Sequence, residues 1–306
     1  MHNLLFLSPH IIQLRTKADP CMRLVNARNI GLNFGDVMID IGTVRLTVLD
    51  LWTLINPNQV NKLIQNGYKF PRGFTPGWLS DTVIEGFLWQ LHLHYGNIFS
   101  ADASMCQIVQ NNSSTKRLWH GETFKDTNKI FIPMNVHHSH WSLLVIDRTE
   151  KTRYYFDPMQ GKGRTISTAS QPSLALLIRK ISCAADKRTG WESKKWPCIE
   201  PEHFKQTDSF NCGVLVCLFA HSICEGTEIM QEFNVTTERD KIASQIFGFC
   251  YDDTNERNTG ICKVCKDAGD DDKDWLGCDV CGQFFHATCL NLDYAENVTN
   301  FFKCPE

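Results

Sequence analysis

Cys212-Gly213-Val214-Leu215-Val216-Cys217-Leu218-Phe219-Ala220 is apolar on nearly every side. A helix of that kind has no face for water and belongs in the middle of a core. Its uninterrupted apolar stretch, Val214 to Ala220, falls far short of the ~20 residues that cross a bilayer. What packs around it can be read outward along the chain. Trp141 to Asp147 and Thr152 to Asp157 are strand-like runs separated by the charged turn Arg148-Thr149-Glu150-Lys151. Ile130 to Met134 reads as a short apolar strand bounded by Pro133. Ser80 or Asp81 can cap a helix whose apolar residues Val83, Ile84, Phe87, Leu88 and Leu91 recur at helical spacing. Pro172 can start a second amphipathic helix through Leu174, Leu177, Ile178 and Ile181. Helices flanking a small antiparallel sheet make this an α+β fold.

Composition bounds the rest. The 306 residues are 42% hydrophobic and 21% charged, which excludes wholesale disorder. A net charge of -3 argues against a protein held to nucleic acid by bulk charge. Leu4 to Leu7 is apolar but is cut off at once by Ser8-Pro9, a poor signal peptide. Of the 14 cysteines, eight are scattered over residues 21 to 250 and six fall in paired spacing after residue 261. Scattered cysteines without secretion read as buried thiols or a nucleophile, and paired ones as metal ligands. A reducing compartment, nucleus or cytoplasm, is expected, with no membrane partner and no direct nucleic-acid partner. Residues 251–260 have almost nothing to bury and read as a linker. The expected organisation is therefore an N-terminal segment over 1–40 with no functional signal, a main domain over 41–250, the linker, and a cysteine-rich module over 261–306.

The hairpin carries a geometric argument. Pairing Asp147 with Thr152 across the turn places Ser142 opposite Asp157 and His140 opposite residue 159, within about two residues of register. His140 and Asp157 then lie at the same end of adjacent strands. An imidazole oriented by a carboxylate is two-thirds of a nucleophilic triad. Cys212 fits the third position, because it opens the buried helix and is followed by Gly213, which permits close backbone approach. A helix N-terminus and a neighbouring imidazolium both raise a thiol's thiolate fraction. Spacing leaves bland alternatives open: a surface or core histidine, a thiol that is merely small and buried (the reading applied to Cys217 and Cys224), or adventitious metal binding by His137-His138-Ser139-His140.

Four motifs occur in order: Trp78-Leu79-Ser80-Asp81, His140-Trp141-Ser142-Leu143, Tyr154-Tyr155-Phe156-Asp157-Pro158, and Gln206-Thr207-Asp208-Ser209-Phe210-Asn211-Cys212-Gly213. Over residues 40 to 232 the chain resembles the ubiquitin-like protease family, the SUMO/sentrin-specific peptidases and their adenovirus-proteinase relatives. The resemblance implies a papain-like cysteine peptidase fold and a role for each matched residue. Cys212 would attack the scissile carbonyl, His140 would pair with its thiolate and then protonate the leaving amine, and Asp157 would hold the ring. Gln206 would donate its side-chain amide to the oxyanion beside the Cys212 backbone N–H. Trp78 and Trp141 would wall a narrow tunnel that admits only a thin Gly-Gly tail. There are departures. Asn211 stands where desumoylating members usually carry Asp, and residues 56–76 separate Leu54 from Trp78 where relatives need few.

The tail reads Cys262-x2-Cys265-x12-Cys278-x2-Cys281-x4-His286-x2-Cys289-x14-Cys304. Each CxxC knuckle supplies two soft ligands on a tight turn, which is what tetrahedral Zn²⁺ asks for, and a reducing context argues against a disulfide framework. The ligand order resembles a PHD finger. That resemblance implies interleaved sites: Cys262, Cys265, His286 and Cys289 for one zinc, Cys278, Cys281 and Cys304 for a second site lacking its last ligand. It also implies a histone-tail partner, with Trp275 as one wall of a methyl-lysine cage.

The expectation is a cysteine peptidase hydrolysing the amide after the Gly-Gly tail of a ubiquitin-like modifier, joined to a zinc finger. Two rivals stand beside it: a mobile-element or virus-like enzyme processing a polyprotein, and a chromatin-binding protein with an inactive protease scaffold. Acyl transfer by the same triad is a third, with no feature favouring it.

Overall fold

The computed structural model describes residues 6–7, 32–41, 44–111, 124, 126–136, 139–160, 162–167, 169–229, 234–246, 262, 264–265, 275–277 and 284–292. Two compact units divide the chain, residues 1–71 with 243–306 and residues 72–242.

In the first unit, β1 (Phe6–Leu7), β2 (Val37–Ile41) and β3 (Val44–Thr47) form an antiparallel sheet. Thr47 closes β3 and opens α1 (Val48–Leu54) with a capping box: its N–H donates to Asp50 Oδ2 at 2.7 Å and its hydroxyl accepts from Asp50 N–H. The unusually long 56–76 interval holds a helix, α2 (Pro57–Gln65), capped by Asn56 with Pro57 in the first turn. Tyr68 and Phe70 then fold back on the fully buried Trp52, with ring centroids 5.6 and 5.1 Å away. The same unit holds β10 (Trp275–Gly277) and β11 (Phe284–His286), an antiparallel pair with a small core of Leu276, Phe285 and Ala287.

The second unit is built on β4 (Ile98–Ser100), β5 (Lys129–Val136), β6 (His140–Asp147), β7 (Thr152–Phe156), β8 (Lys162–Thr165) and β9 (Cys198–Glu202). Among the described residues the sheet order is β4-β5-β6-β7-β9-β8. The β4–β5 and β7–β9 pairs are parallel, so the sheet is mixed where a purely antiparallel one was expected. The hairpin register is the expected one, with Asp147 opposite Thr152 and Leu143 opposite Phe156. Asp147 sets that turn by accepting from the N–H groups of Thr149 and Glu150 at 2.8 and 3.1 Å.

Pro133 does not bound β5; it sits inside it, opposite Leu143. Phe131 turns its carbonyl to the β4 flank, accepting from Ala101 N–H, and Pro133, two residues on, faces the same way. The pairing with β4 ends at Phe131, so among the described residues no strand faces the Pro133 nitrogen and no ladder bond is lost.

Helices cover both faces. On one, α4 (Met105–Gln110) and α5 (Pro172–Thr189) lie against Ile130, Ile132, Leu144, Ile146 and Tyr155. On the other, α6 (Cys212–Glu225) lies on β6 and beside α3 (Asp81–Tyr95), with the Phe219 ring 5.5 Å from Phe156. Cover on both sides explains why β6 is buried at every residue after His140 and why its sequence does not alternate. Ser80 caps α3, accepting from Val83 N–H, and Pro172 opens α5, as their positions in sequence predict.

Candidate active site

Four chain segments meet at the sheet end where β6 begins and β7 finishes. His140 is the first residue of β6, and Asp157 directly follows β7. The ring's Nε2–H donates to Asp157 Oδ1 at 2.7 Å, with both side chains about 85% buried. A second donor, Met159 N–H at 2.9 Å, aims the same carboxylate oxygen. Cys212 hydrogen-bonds the ring as well, and with Nε2–H committed to Asp157, the protonated ring has Nδ1–H left to donate to the sulfur. Burial by itself would lower the His140 pKa. The hydrogen bonds to Asp157 and Cys212 and their charges outweigh it and hold the imidazole protonated up to about 9. Burial also pushes against the Asp157 charge, but the His140 and Met159 N–H bonds prevail and its pKa lies below the ordinary carboxylate range.

Cys212 is 4% exposed and is the first residue of α6, where backbone N–H groups have no partner within the helix. Gly213 allows the helix start its place. A Cβ there would fall 3.0 Å from Leu79 Cβ and 3.2 Å from Ile84 Cδ1. The Leu79 carbonyl accepts from Trp141 Nε1–H at 3.2 Å, and Trp78 Nε1–H donates to the Ser209 carbonyl at 3.1 Å. Trp141 is buried and Trp78 half-buried, so the 77–79 segment is tied both to β6 and to the loop ahead of the thiol.

That loop is held by its own bonds. Gln206 N–H donates to the Pro158 carbonyl, and Gln206 Nε2 donates to the Asp208 carbonyl at 2.8 Å, leaving its second amide hydrogen for another acceptor. Asp208 Oδ1 accepts from the N–H groups of Phe210 and Asn211, both at 2.9 Å, and Oδ2 accepts from Asn211 Nδ2 at 2.6 Å. Asn211, the departure from Asp, thus has a carboxylate partner three residues upstream.

Two buried residues here escaped the sequence reading. His203 stacks edge-on against Phe156 and Phe219 and reaches the Asp157 carbonyl with Nε2 at 2.9 Å. Arg239, on α7 (Val235–Ile246), donates from Nη2 to Asn211 Oδ1 at 2.7 Å and to the Gly77 carbonyl. A signal for Arg239 was present: it lies on the same helix face as Ile242 and Ile246, a charge in an apolar stripe.

In the cysteine-rich module, one ligand atom each from Cys262, Cys265, His286 and Cys289 lies within 4.8 Å of all the others. His286 Nδ1 is 3.4 Å from Cys265 Sγ and 3.6 Å from Cys289 Sγ. Bond lengths of about 2.3 Å to sulfur and 2.0–2.1 Å to nitrogen, at tetrahedral angles, space ligands about 3.6 Å apart, so the four fit a zinc ion. His286 N–H also donates to Cys262 Sγ, the outer contact expected of a metal-bound thiolate. Cys278, Cys281, Cys304, the 251–260 linker and His137-His138 lie outside the described residues, as does the side chain of Trp275.

This arrangement has the parts of a cysteine protease site, and a cysteine-rich module with a candidate metal cluster follows it in sequence. Comparison with known proteins finds two matching domains. Residues 101–252 carry the C-terminal catalytic domain of the Ulp1 protease family, and residues 262–306 a PHD-finger. Ubiquitin-like-specific protease 1 of Saccharomyces cerevisiae is 28% identical over 145 residues, 46% of this chain and 22% of that protein. PHD finger protein ALFIN-LIKE 3 of Oryza sativa subsp. indica is 33% identical over 57 residues, 18% of this chain and 23% of that protein. The chain therefore spans under a quarter of the length of either relative. The fold matches a SUMO protease Ulp1 whose catalytic cysteine is oxidised to a sulfonic acid, at TM-score 0.55 and 19% identity over 77% of this chain and 97% of that one. It also matches the C-terminal Ulp1 protease domain in complex with Smt3, the yeast ortholog of SUMO, at TM-score 0.54 and 18% identity over 74% and 92%. The Ulp1-like SUMO protease catalytic domain of Chaetomium thermophilum gives TM-score 0.52 and 19% identity over 81% and 97%.

Proposed function

We propose that this chain hydrolyses the amide bond that follows the Gly-Gly tail of a ubiquitin-like modifier, with Cys212, His140 and Asp157 as its triad. The observation that carries the proposal is one ring, His140, bonded at once to the Asp157 carboxylate and the Cys212 thiol. A protonated ring beside the sulfur, up to about pH 9, is the partner that a thiolate nucleophile requires. The thiolate attacks the glycine carbonyl carbon. The resulting oxyanion takes hydrogen bonds from the Cys212 N–H and the uncommitted Gln206 amide hydrogen. The C–N bond breaks as the imidazolium passes its proton to the leaving amine, giving a thioester. His140, now neutral, takes a proton from water, the hydroxide adds to the thioester, and the modifier leaves with a free carboxylate. Trp78 and Trp141 are proposed as walls that exclude any residue with a side chain. Their anchored indoles support this, because a rigid wall discriminates by sterics.

For the second module we propose one zinc on Cys262, Cys265, His286 and Cys289, which draws its segments together and takes no part in hydrolysis. We also propose peptide binding there, with Trp275 against a methyl-lysine of a histone tail, a reading that the PHD match supports. A nuclear or cytoplasmic site of action is proposed on the same grounds. The test is a panel of ubiquitin, SUMO and related modifiers carrying an electrophilic C-terminus. One of them should label Cys212, and Cys212→Ala should abolish labelling. Intact Cys212 with no labelling by any modifier would favour polyprotein processing or an inactive scaffold.

A further inference from the structure

Arg239 is 1% exposed, and a guanidinium taken that far out of water stays charged only where its donors are answered. Burial lowers its pKa to about 10, and the nearby Asp208 carboxylate is the largest opposing influence. Its acceptors belong to the two segments that flank the proposed site. The Gly77 carbonyl directly precedes Trp78, and Asn211 directly precedes Cys212. Sequence separations of 162 and 28 residues make these tertiary choices rather than local accidents.

Asn211 works as a relay. Its amide oxygen accepts from Arg239, while its amide nitrogen donates to Asp208 Oδ2. Asp208 in turn gathers the N–H groups of Phe210 and Asn211, and its own carbonyl receives the Gln206 amide. A side chain at 211 must be acceptor and donor together, which Asn is and Asp is not.

We propose that Arg239 is a positioning residue, which through Asn211 and Asp208 on one arm and Gly77 on the other holds the Gln206–Cys212 loop in fixed relation to Trp78. This deepens the function proposed above and rests on it. A planar fork can serve two segments at fixed angles, whereas a lysine is a point charge on a flexible stem. Loss of the relay would loosen the oxyanion donors while leaving the Cys212–His140–Asp157 contacts in place.

The experiment uses the full chain, with a modifier carrying a C-terminal Gly-Gly amide as substrate and iodoacetamide as a probe of the thiol. Asn211→Asp sets two carboxylates against each other. It is expected to lower kcat about tenfold or more, with KM and the iodoacetamide rate within about twofold, and to speed hydrogen exchange at the Phe210 and Asn211 amides. Asp208→Asn added to it restores one acceptor and one donor in mirrored order, and should return both kcat and exchange to near the native values. Arg239→Lys, checked for folding by thermal melting, should cut kcat about tenfold with alkylation unchanged. The proposal is overturned if folded Arg239→Lys keeps native kcat and native exchange, or if the swapped pair recovers neither. Should the native chain turn over no Gly-Gly substrate at all, the functional reading fails. The exchange rates and their recovery in the swapped pair still decide the role of Arg239.

Discussion

Asp157→Asn separates the two services Asp157 renders to His140. The amide oxygen can still accept from the ring, so orientation is retained, but the negative charge is gone. In the native chain the ring pKa rises from 6.5 to about 9. At 1.36 kcal/mol per pH unit, that is about 3 kcal/mol of preference for the imidazolium. With only 16% and 15% of the two side chains exposed, water screens little of it. A pKa raised by folding contributes its stability in full below 6.5 and loses it as pH climbs through about 9. The native chain should therefore lose about 3 kcal/mol between pH 6 and pH 10 from this group. The alkaline limb of kcat/KM should fall near 9, where the imidazolium disappears. Asp157→Asn leaves Cys212 alone to oppose burial, and the limb should move down by about one to two pH units, with the pH dependence of stability shrinking in step. Urea unfolding at a series of pH values reads the second quantity and steady-state hydrolysis the first. An alkaline limb that stays near 9 in the variant would refute the assignment of Asp157 as the group that holds the proton.

Gly213→Ala sets a helix-propensity gain of about 1 kcal/mol against an overpacking cost of about 1–3 kcal/mol. Because the 3.0 Å contact is to Leu79 Cβ, close to its backbone, we expect net destabilisation in thermal melting and slower hydrolysis as Trp78 and Trp141 are displaced. Trp141→Ala should reduce labelling by an electrophilic modifier about tenfold or more, while iodoacetamide reacts with Cys212 at close to the native rate. Cys265→Ser and His286→Ala should each cost the chain one zinc ion by native mass measurement, and equal zinc content in the native chain and both variants would remove the four-ligand site.

What could be read from the sequence is what depends on short-range spacing. The four-residue turn sets the β6–β7 register, because each pair determines the next. The cap at Ser80 acts within three residues. CxxC knuckles present two sulfurs from one turn, so Cys262 and Cys265 announce themselves as candidate metal ligands without a fold. Tertiary structure alone decided the partners of buried polar groups. Arg239 stands with three other charged residues on its helix, and although its place in the apolar stripe marks it as buried, nothing local points to Gly77, 162 residues away. His203 likewise becomes a neighbour of Asp157 only when β9 pairs parallel to β7, a long-range crossover that no local period encodes. Pro133 looked like a strand end because proline denies a ladder bond, and only the early end of β4 shows that no bond was owed there. Apolar periodicity says which side of an element leaves water, but which distant oxygen meets a buried charge is settled only by packing.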